Sequence, residues 1–255
     1  MNIADDLRLA LDPVLLATRA GLTCDAWQAD LLTSNARDLI LLCSRQAGKS
    51  SVCAVLATHE ALYRPGSLTL IVSPSQRQSG LLYAKIRAIY GALRDAVPRL
   101  AEETSLRLTL TNGSSVVCLP GREETIRGYS GATLLLVDEA ALVPDEMYVA
   151  LRPMIAVSGG RAVLLSTPRG RRGFFYREWT EGGPHWSRTK ITAYQCPRIP
   201  RDWLEGERER IGRSAFNQEF LVEFVENEDS AFAYDDVEAA LDPEARPLFH
   251  GRIFG

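Results

Sequence analysis

The chain has 255 residues, enough for one large domain or a domain plus a fragment, and its 46% hydrophobic and 24% charged residues are ordinary for a soluble globular protein. A formal net charge of −3 neither favours nor excludes nucleic acid, so any polyanion site has to come from local clustering. Five cysteines without a CxxC pair, an acidic N-terminal stretch and no long apolar segment speak against a disulfide framework, a zinc site, a signal peptide or a membrane span, and a soluble cytoplasmic protein is expected.

Apolar spacing over 4–20 (Leu7, Leu9, Leu11, Val14, Leu15, Leu16) predicts a helix ending at Gly21, and 25-DAWQADLLTS-34 a second. The first buried strand is 38-DLILLCS-44, followed by a glycine turn and a helix to about Tyr63. Pro65-Gly66 breaks the chain before a second continuous apolar run, 68-LTLIVS-73, and a helix is expected from about Gln76 to Leu93. Residues 105–121 alternate apolar and polar on both sides of Asn112-Gly113, which predicts a hairpin, either an insertion or an antiparallel edge. Three further strands are expected in 133-TLLLVDEA-140, 161-RAVLLSTP-168 and 187-SRTKITA-193. Apolar strands alternating with helices predict a three-layer α/β fold around a mainly parallel sheet. From about Tyr194 the character changes: 201–213 is densely charged and helical, 215–232 amphipathic, and 233–255 has loop composition.

Three strand ends carry chemistry. After the first strand, 43-CSRQAGKS-50 has the context of a phosphate loop, which needs a buried strand before it, a helix after it, and backbone N–H groups facing an anion. Gly48 lets the backbone approach phosphates, Lys49 reaches the β- and γ-phosphates, and the Ser50 hydroxyl ligates Mg²⁺. Ser44, Arg45, Gln46, Ala47 and Ser51 complete the expected nucleotide cradle. Cys43 stands where GxxxxGK[ST] has its first glycine, a tolerable change because that position lies at the strand end. In 133-TLLLVDEAALVP-144 an apolar strand ends in two carboxylates, at the sheet edge where α/β ligands bind. Asp138 is expected to hold Mg²⁺ and Glu139 to orient and deprotonate water. In 162-AVLLSTPRGRRGFFYREW-179 a strand ends in Ser166, Thr167 and Pro168, where a hydroxyl could sense the γ-phosphate. The arginines of 169-RGRRG-173 (Arg169, Arg171, Arg172) could track DNA phosphates without reading bases. The run Arg198–Arg213 is balanced by acids and reads as a helix with i,i+4 charge pairs.

With these elements in place, the chain resembles the large terminase subunit of tailed bacteriophages, the motor that packages genomes into preformed capsids. CSRQAGKSS is similar to that family's variant phosphate loop, LLLVDEA to its metal-and-base strand, and STPRGRRGFFYREW to its coupling motif; 121-GREETIRGYSGA-132 and 216-FNQEFLVEF-224 follow in the family's order. The resemblance implies an ATP- and Mg²⁺-dependent P-loop NTPase of the additional-strand, catalytic-glutamate type, with its core over about 22–193 and a helical lid over about 194–228. It further implies that Gln28, after Trp27, contacts adenine. Arg45 would touch the γ-phosphate or couple subunits, and Arg127 would reach a neighbouring subunit's nucleotide as an arginine finger. The segment 73–80 would touch DNA or relay nucleotide state. Implied partners are double-stranded DNA, a portal protein, a small terminase subunit and copies of the chain in a portal-docked ring, in host cytoplasm, while a monomer would be unsurprising for the isolated chain. The family's RNase H-like nuclease domain is expected to be missing, with 229–255 the linker toward it, as in an ATPase-half fragment, a truncated product or a split subunit. Two other readings stay open: a helicase-like DNA-dependent ATPase, and a nucleotide-binding assembly module that does not hydrolyse.

Overall fold

The computed structural model describes residues 3–93, 98–120 and 128–225. Eight strands form one sheet: β1 Asp38–Cys43, β2 Leu68–Ser73, β3 Leu100–Glu103, β4 Arg107–Leu110, β5 Ser115–Pro120, β6 Leu134–Asp138, β7 Arg161–Ser166 and β8 Trp186–Ile191, in the order β3-β4-β5-β2-β6-β7-β1-β8. From β5 to β8 every neighbouring pair is parallel, and only β4 runs antiparallel to its neighbours β3 and β5.

The apolar strands read as they do because both faces are covered. Leu39, Leu41 and Cys43 of β1 face a core shared with the helices Lys49–Tyr63 and Gln76–Ala92. Ile40 and Leu42 face a second core containing Met147, Tyr148 and Phe175. Strand side chains alternate with a period of two, so a strand buried on both sides is apolar throughout. A third, small cluster of Ala193, Leu204, Phe216 and Phe220 holds together the helices Arg201–Ile211 and Arg213–Glu219.

Several expectations change. The helix over 4–20 is two helices, Ile3–Leu11 and Pro13–Arg19, because Pro13 cannot continue the first but suits the first turn of the second, where the Asp12 carboxylate accepts from the Val14 N–H at 2.8 Å. Of the two readings of the hairpin at Asn112-Gly113 the antiparallel edge holds, β4 pairing antiparallel with β5 at that end of the sheet, and β5 joins it to the rest by pairing parallel with β2 over six residues. The edge strand β3 carried no signal in the sequence. The amphipathic stretch from 215 is helical only to Glu219, and from 226 on it lies outside the described residues, as does 229–255.

The order β6-β7-β1 matters most for the site. One strand, β7, stands between the strand that ends in Asp138 and the strand that leads into the phosphate loop. All three are parallel, so their C-terminal ends open side by side at one edge of the sheet.

Candidate functional site

The loop after β1 turns through two left-handed residues, Gln46 (φ 59°) and Gly48 (φ 95°). Gly48 needs its glycine twice over. A side chain would be strained at that φ, and its Cβ would stand 2.5 Å from Gln28 Nε2. Cys43 is not among the positive-φ residues, and its side chain is buried in the core, where desolvation pushes the thiol up to about 12. That position makes no demand for glycine, which explains the departure from the strict motif. The Ser44 N–H donates to Ile191 O at 2.9 Å and the Arg45 N–H to Glu219 O at 3.3 Å. Donors for an anion therefore come from the turn after Arg45 and from Lys49 and Ser50 at the start of the helix Lys49–Tyr63, whereas the Ser51 and Val52 N–H groups donate to Gly48 O at 3.0 and 3.3 Å.

Lys49 is only 6% exposed; its Nζ donates to Ser44 O at 3.1 Å and lies 3.6 Å from Glu139 Oε1. The Ser50 hydroxyl donates to Asp138 Oδ2 at 3.2 Å. Asp138 is 5% exposed, and its carboxyl is raised to about 6, by desolvation first and the Glu139 charge second, with Lys49 opposing. A hydroxyl and a carboxylate side by side are hard oxygen donors that fit Mg²⁺. Among the described residues no group of three or more His, Cys, Asp and Glu could hold a metal, so phosphate oxygens would have to complete such a site.

Glu139 adopts the left-handed conformation (φ 51°, ψ 47°), and its N–H donates back to Asp138 Oδ1 at 3.2 Å. This kink turns Glu139 toward β7. Thr167 Oγ1 donates to Glu139 Oε2 at 3.3 Å and Ser166 Oγ at 3.5 Å, while Ser166 Oγ accepts from the Ala141 N–H at 3.1 Å. Three separately predicted strand ends thus converge on a cleft of about 370 Å³, lined among others by Lys49, Ser50, Glu139, Thr167 and Pro168. The basic loop divides: Arg169 lines this cleft, whereas the exposed Arg171 donates through Nε to Phe224 O at 3.4 Å and Arg172 is exposed.

Several of the expected side chains already have partners within the chain. Arg45 ion-pairs with Glu219 of the helix Arg213–Glu219, at the rim of the cleft. Gln28 is 5% exposed with its amide already engaged: Oε1 accepts from the Asp25 N–H at 2.8 Å and Nε2 donates to Ala47 O at 3.3 Å. The run 198–213 does not form the expected i,i+4 ladder. Its ion pair within the helix, Arg210–Glu207, is spaced i,i+3, and Arg198 leaves the run to bond Asp25 and Ala47. Gln78, from the segment 73–80 that the resemblance singled out, lines the cleft. Sequence reasoning passed over Lys85, which also lines it, Nζ donating to Ser51 Oγ at 3.4 Å. A lysine on an amphipathic helix carries no signal of that kind.

The family described as "Terminase large subunit, T4likevirus-type, N-terminal" matches residues 40–239. The chain belongs to the terminase large-subunit family. It is 27% identical over 247 residues to the terminase large subunit of Thermus phage G20c, covering 84% of this chain and 51% of that protein. It is 26% identical over 192 residues to the terminase large subunit of Escherichia phage T5, covering 71% and 42%. The chain thus spans about half the length of the curated relatives it matches. Its fold is that of solved terminase domains. The Thermus phage P74-26 large terminase ATPase domain superposes with a TM-score of 0.71 at 23% identity, over 82% of this chain and 97% of that one. The large terminase of thermophilic bacteriophage D6E, in complex with ADP, gives 0.64 at 15% identity, over 79% and 54%.

Within the terminase frame, the strand inserted between β6 and β1 is what the additional-strand type of P-loop fold requires. Arg127, the expected finger, lies outside the described residues, as does most of the 121–132 loop. Among the described residues no helix is long and apolar enough to cross a membrane.

Proposed function

We propose that this chain is the ATP-hydrolysing motor domain of a DNA-packaging terminase, coupling Mg-ATP hydrolysis to movement of double-stranded DNA into a procapsid. The observation that carries the reading is the placement of Glu139, which its left-handed backbone brings to Lys49 on one side and Thr167 on the other, beside the Ser50–Asp138 pair.

The N–H groups of the turn and Lys49 bind the phosphates, Lys49 exchanging its bond to Ser44 O for phosphate oxygens. Ser50 and Asp138 would hold Mg²⁺, which supplies positive charge against the phosphates. Glu139 accepts a proton from water as the water oxygen bonds the γ-phosphorus and the bridging bond to the β-phosphate breaks, leaving ADP and phosphate. Ser166 and Thr167 hold the same carboxylate, so the hydroxyls that fix the base are continuous with Pro168 and the loop Arg169–Arg172. Loss of the γ-phosphate is thereby felt at the arginines proposed to follow DNA phosphates. Arg45 in the same subunit and Arg127 from a neighbour are the candidate cations for the transition state, in a ring assembled with portal and small subunit in the host cytoplasm.

The test is Mg-dependent ATP turnover per subunit over a wide range of protein concentration, with and without duplex DNA, beside Glu139→Gln. Turnover that rises with concentration or DNA and is lost in Glu139→Gln supports the motor with an in-trans arginine. A Glu139→Gln protein that hydrolyses ATP like wild type refutes the assigned base.

A further inference from the structure

The nucleotide reading leaves Arg198 without a role, yet it is tied to the phosphate loop from 151 residues away. Its Nη2 donates to Ala47 O at 2.9 Å and its Nη1 to Asp25 Oδ1 at 2.6 Å. The same Ala47 carbonyl accepts from Gln28 Nε2. Two side chains from opposite ends of the chain thus meet on one backbone oxygen beside Gly48, whose missing Cβ would lie 3.3 Å from Arg198 Nη2.

Behind that meeting point is a second cavity of about 190 Å³, walled by Leu22, Leu32, Val52 and Val55 and capped by Gln28 and Arg198. It shares Gly48 with the phosphate-side cleft and is lined next to it by Ser51, so a phosphate chain bound at the loop leads its nucleoside end here. An apolar slot with a few polar groups at its mouth suits a planar heterocycle. Gln28 has already spent one donor and one acceptor on Ala47 and Asp25, whereas Arg198 brings a planar cation to the opening, its side chain 47% exposed. A guanidinium plane stacks on aromatic faces as an ammonium cannot.

The presentation of Arg198 is rigid. Pro197 opens a turn in which the Ile199 N–H donates to Cys196 O at 3.0 Å, Pro200 caps the following helix, and Ile199 packs against two cores. Cys196 is buried against Ser44 at the start of the phosphate loop, Sγ to Oγ 3.9 Å. The turn is therefore anchored on both sides of the arginine it displays.

We propose that Arg198 is a base-stacking residue of the nucleotide site, closing the nucleobase slot from the helical subdomain and tying base occupancy to the Ala47 carbonyl of the phosphate loop. This rests on the nucleotide-site reading above. Stacking recognises any purine nucleoside phosphate; it adds nothing for the bare phosphate chain.

The experiment is calorimetric titration of the full chain with Mg-ADP and with inorganic pyrophosphate. Arg198→Ala should weaken ADP binding by roughly 3- to 30-fold, the range that cation–aromatic contacts span from exposed to desolvated sites. Pyrophosphate affinity should stay at the wild-type value. Arg198→Lys keeps a cation for Asp25, and so covers an alanine variant that does not fold; it should melt like wild type and still bind ADP as weakly as the alanine variant. Equal weakening toward both ligands, or full rescue of ADP binding by lysine, overturns stacking. Wild-type protein that binds neither ligand, or Lys49→Ala protein that binds both unchanged, overturns the nucleotide site itself, and stacking with it.

Discussion

Asp138 sets function against stability in a way that can be measured. Its carboxyl lies 5% exposed with a second carboxylate next to it, and it is raised from 3.8 to about 6. The folded protein therefore holds a proton there more tightly than the unfolded chain. The stabilisation that proton provides is complete below the unfolded value and is lost as pH rises through the folded one. Two pKa units at 1.36 kcal/mol each make this roughly 3 kcal/mol. Asp138→Asn carries the neutral shape at every pH, with Ser50 and the Glu139 N–H still facing it. Allowing about 1 kcal/mol for hydrogen bonds that are weaker to an amide than to a carboxylate, the variant should be more stable than wild type by about 2 kcal/mol at pH 7.5. At this size that is a rise in melting temperature of roughly 4–8 °C. The gain should vanish near pH 4. The assay is thermal or urea unfolding in chelator from pH 4 to 7.5, repeated at pH 7.5 with Mg-ADP, which should stabilise wild type and not the variant. A pH-independent gain, or a wild type that is the more stable at pH 7.5, would show that burial is not what holds this carboxyl up.

Gly48→Ala should abolish measurable ADP binding in calorimetry and cost at least ~1 kcal/mol in urea unfolding, since it combines a left-handed φ with a Cβ on Gln28. Cys43→Gly, which restores the strict motif, should leave ADP affinity within about 2-fold of wild type while destabilising by about 1–2 kcal/mol, because it removes a buried side chain and frees the unfolded backbone; tighter nucleotide binding would contradict the account of that position. Thr167→Val, alone and with Ser166→Ala, should reduce ATP turnover at saturating ATP by roughly 10-fold or more while leaving ADP binding intact, as expected when a base loses its orientation; parallel loss of binding would place these hydroxyls on the nucleotide.

Legibility in the sequence followed burial. β1, β2, β6 and β7 could be read because a strand covered on both faces is apolar at every position, and the motif residues stand at their ends. β3 could not, since its residues LAEE are mostly exposed and pair only at the sheet edge. The grouping of Lys49, Ser50, Asp138 and Glu139 followed from motif order, but the left-handed kink at Glu139 did not: a glutamate before two alanines suggests a helix start. Arg198 was hidden for a different reason. Its charged neighbours made it one member of a solvated helix, and only the prolines on either side hinted that it was held apart. Long-range pairs such as Arg198 with Ala47 leave no local trace at all.

The position of β1 has a consequence for how the chain reaches its final form. β1 is complete by residue 43, yet both strands that flank it, β7 and β8, end at 166 and 191. The Arg45 N–H donates to Glu219 O, later still in the chain. During synthesis, at roughly 5–20 residues per second, the segment LILLC must wait on the order of ten seconds or more for its neighbours. A strand so apolar, with both edges unpaired, is a template for association with other nascent chains, the more so because parallel pairing across long loops is slow. The loop that would hold the nucleotide is thus among the first parts of the protein to be made and among the last to be assembled.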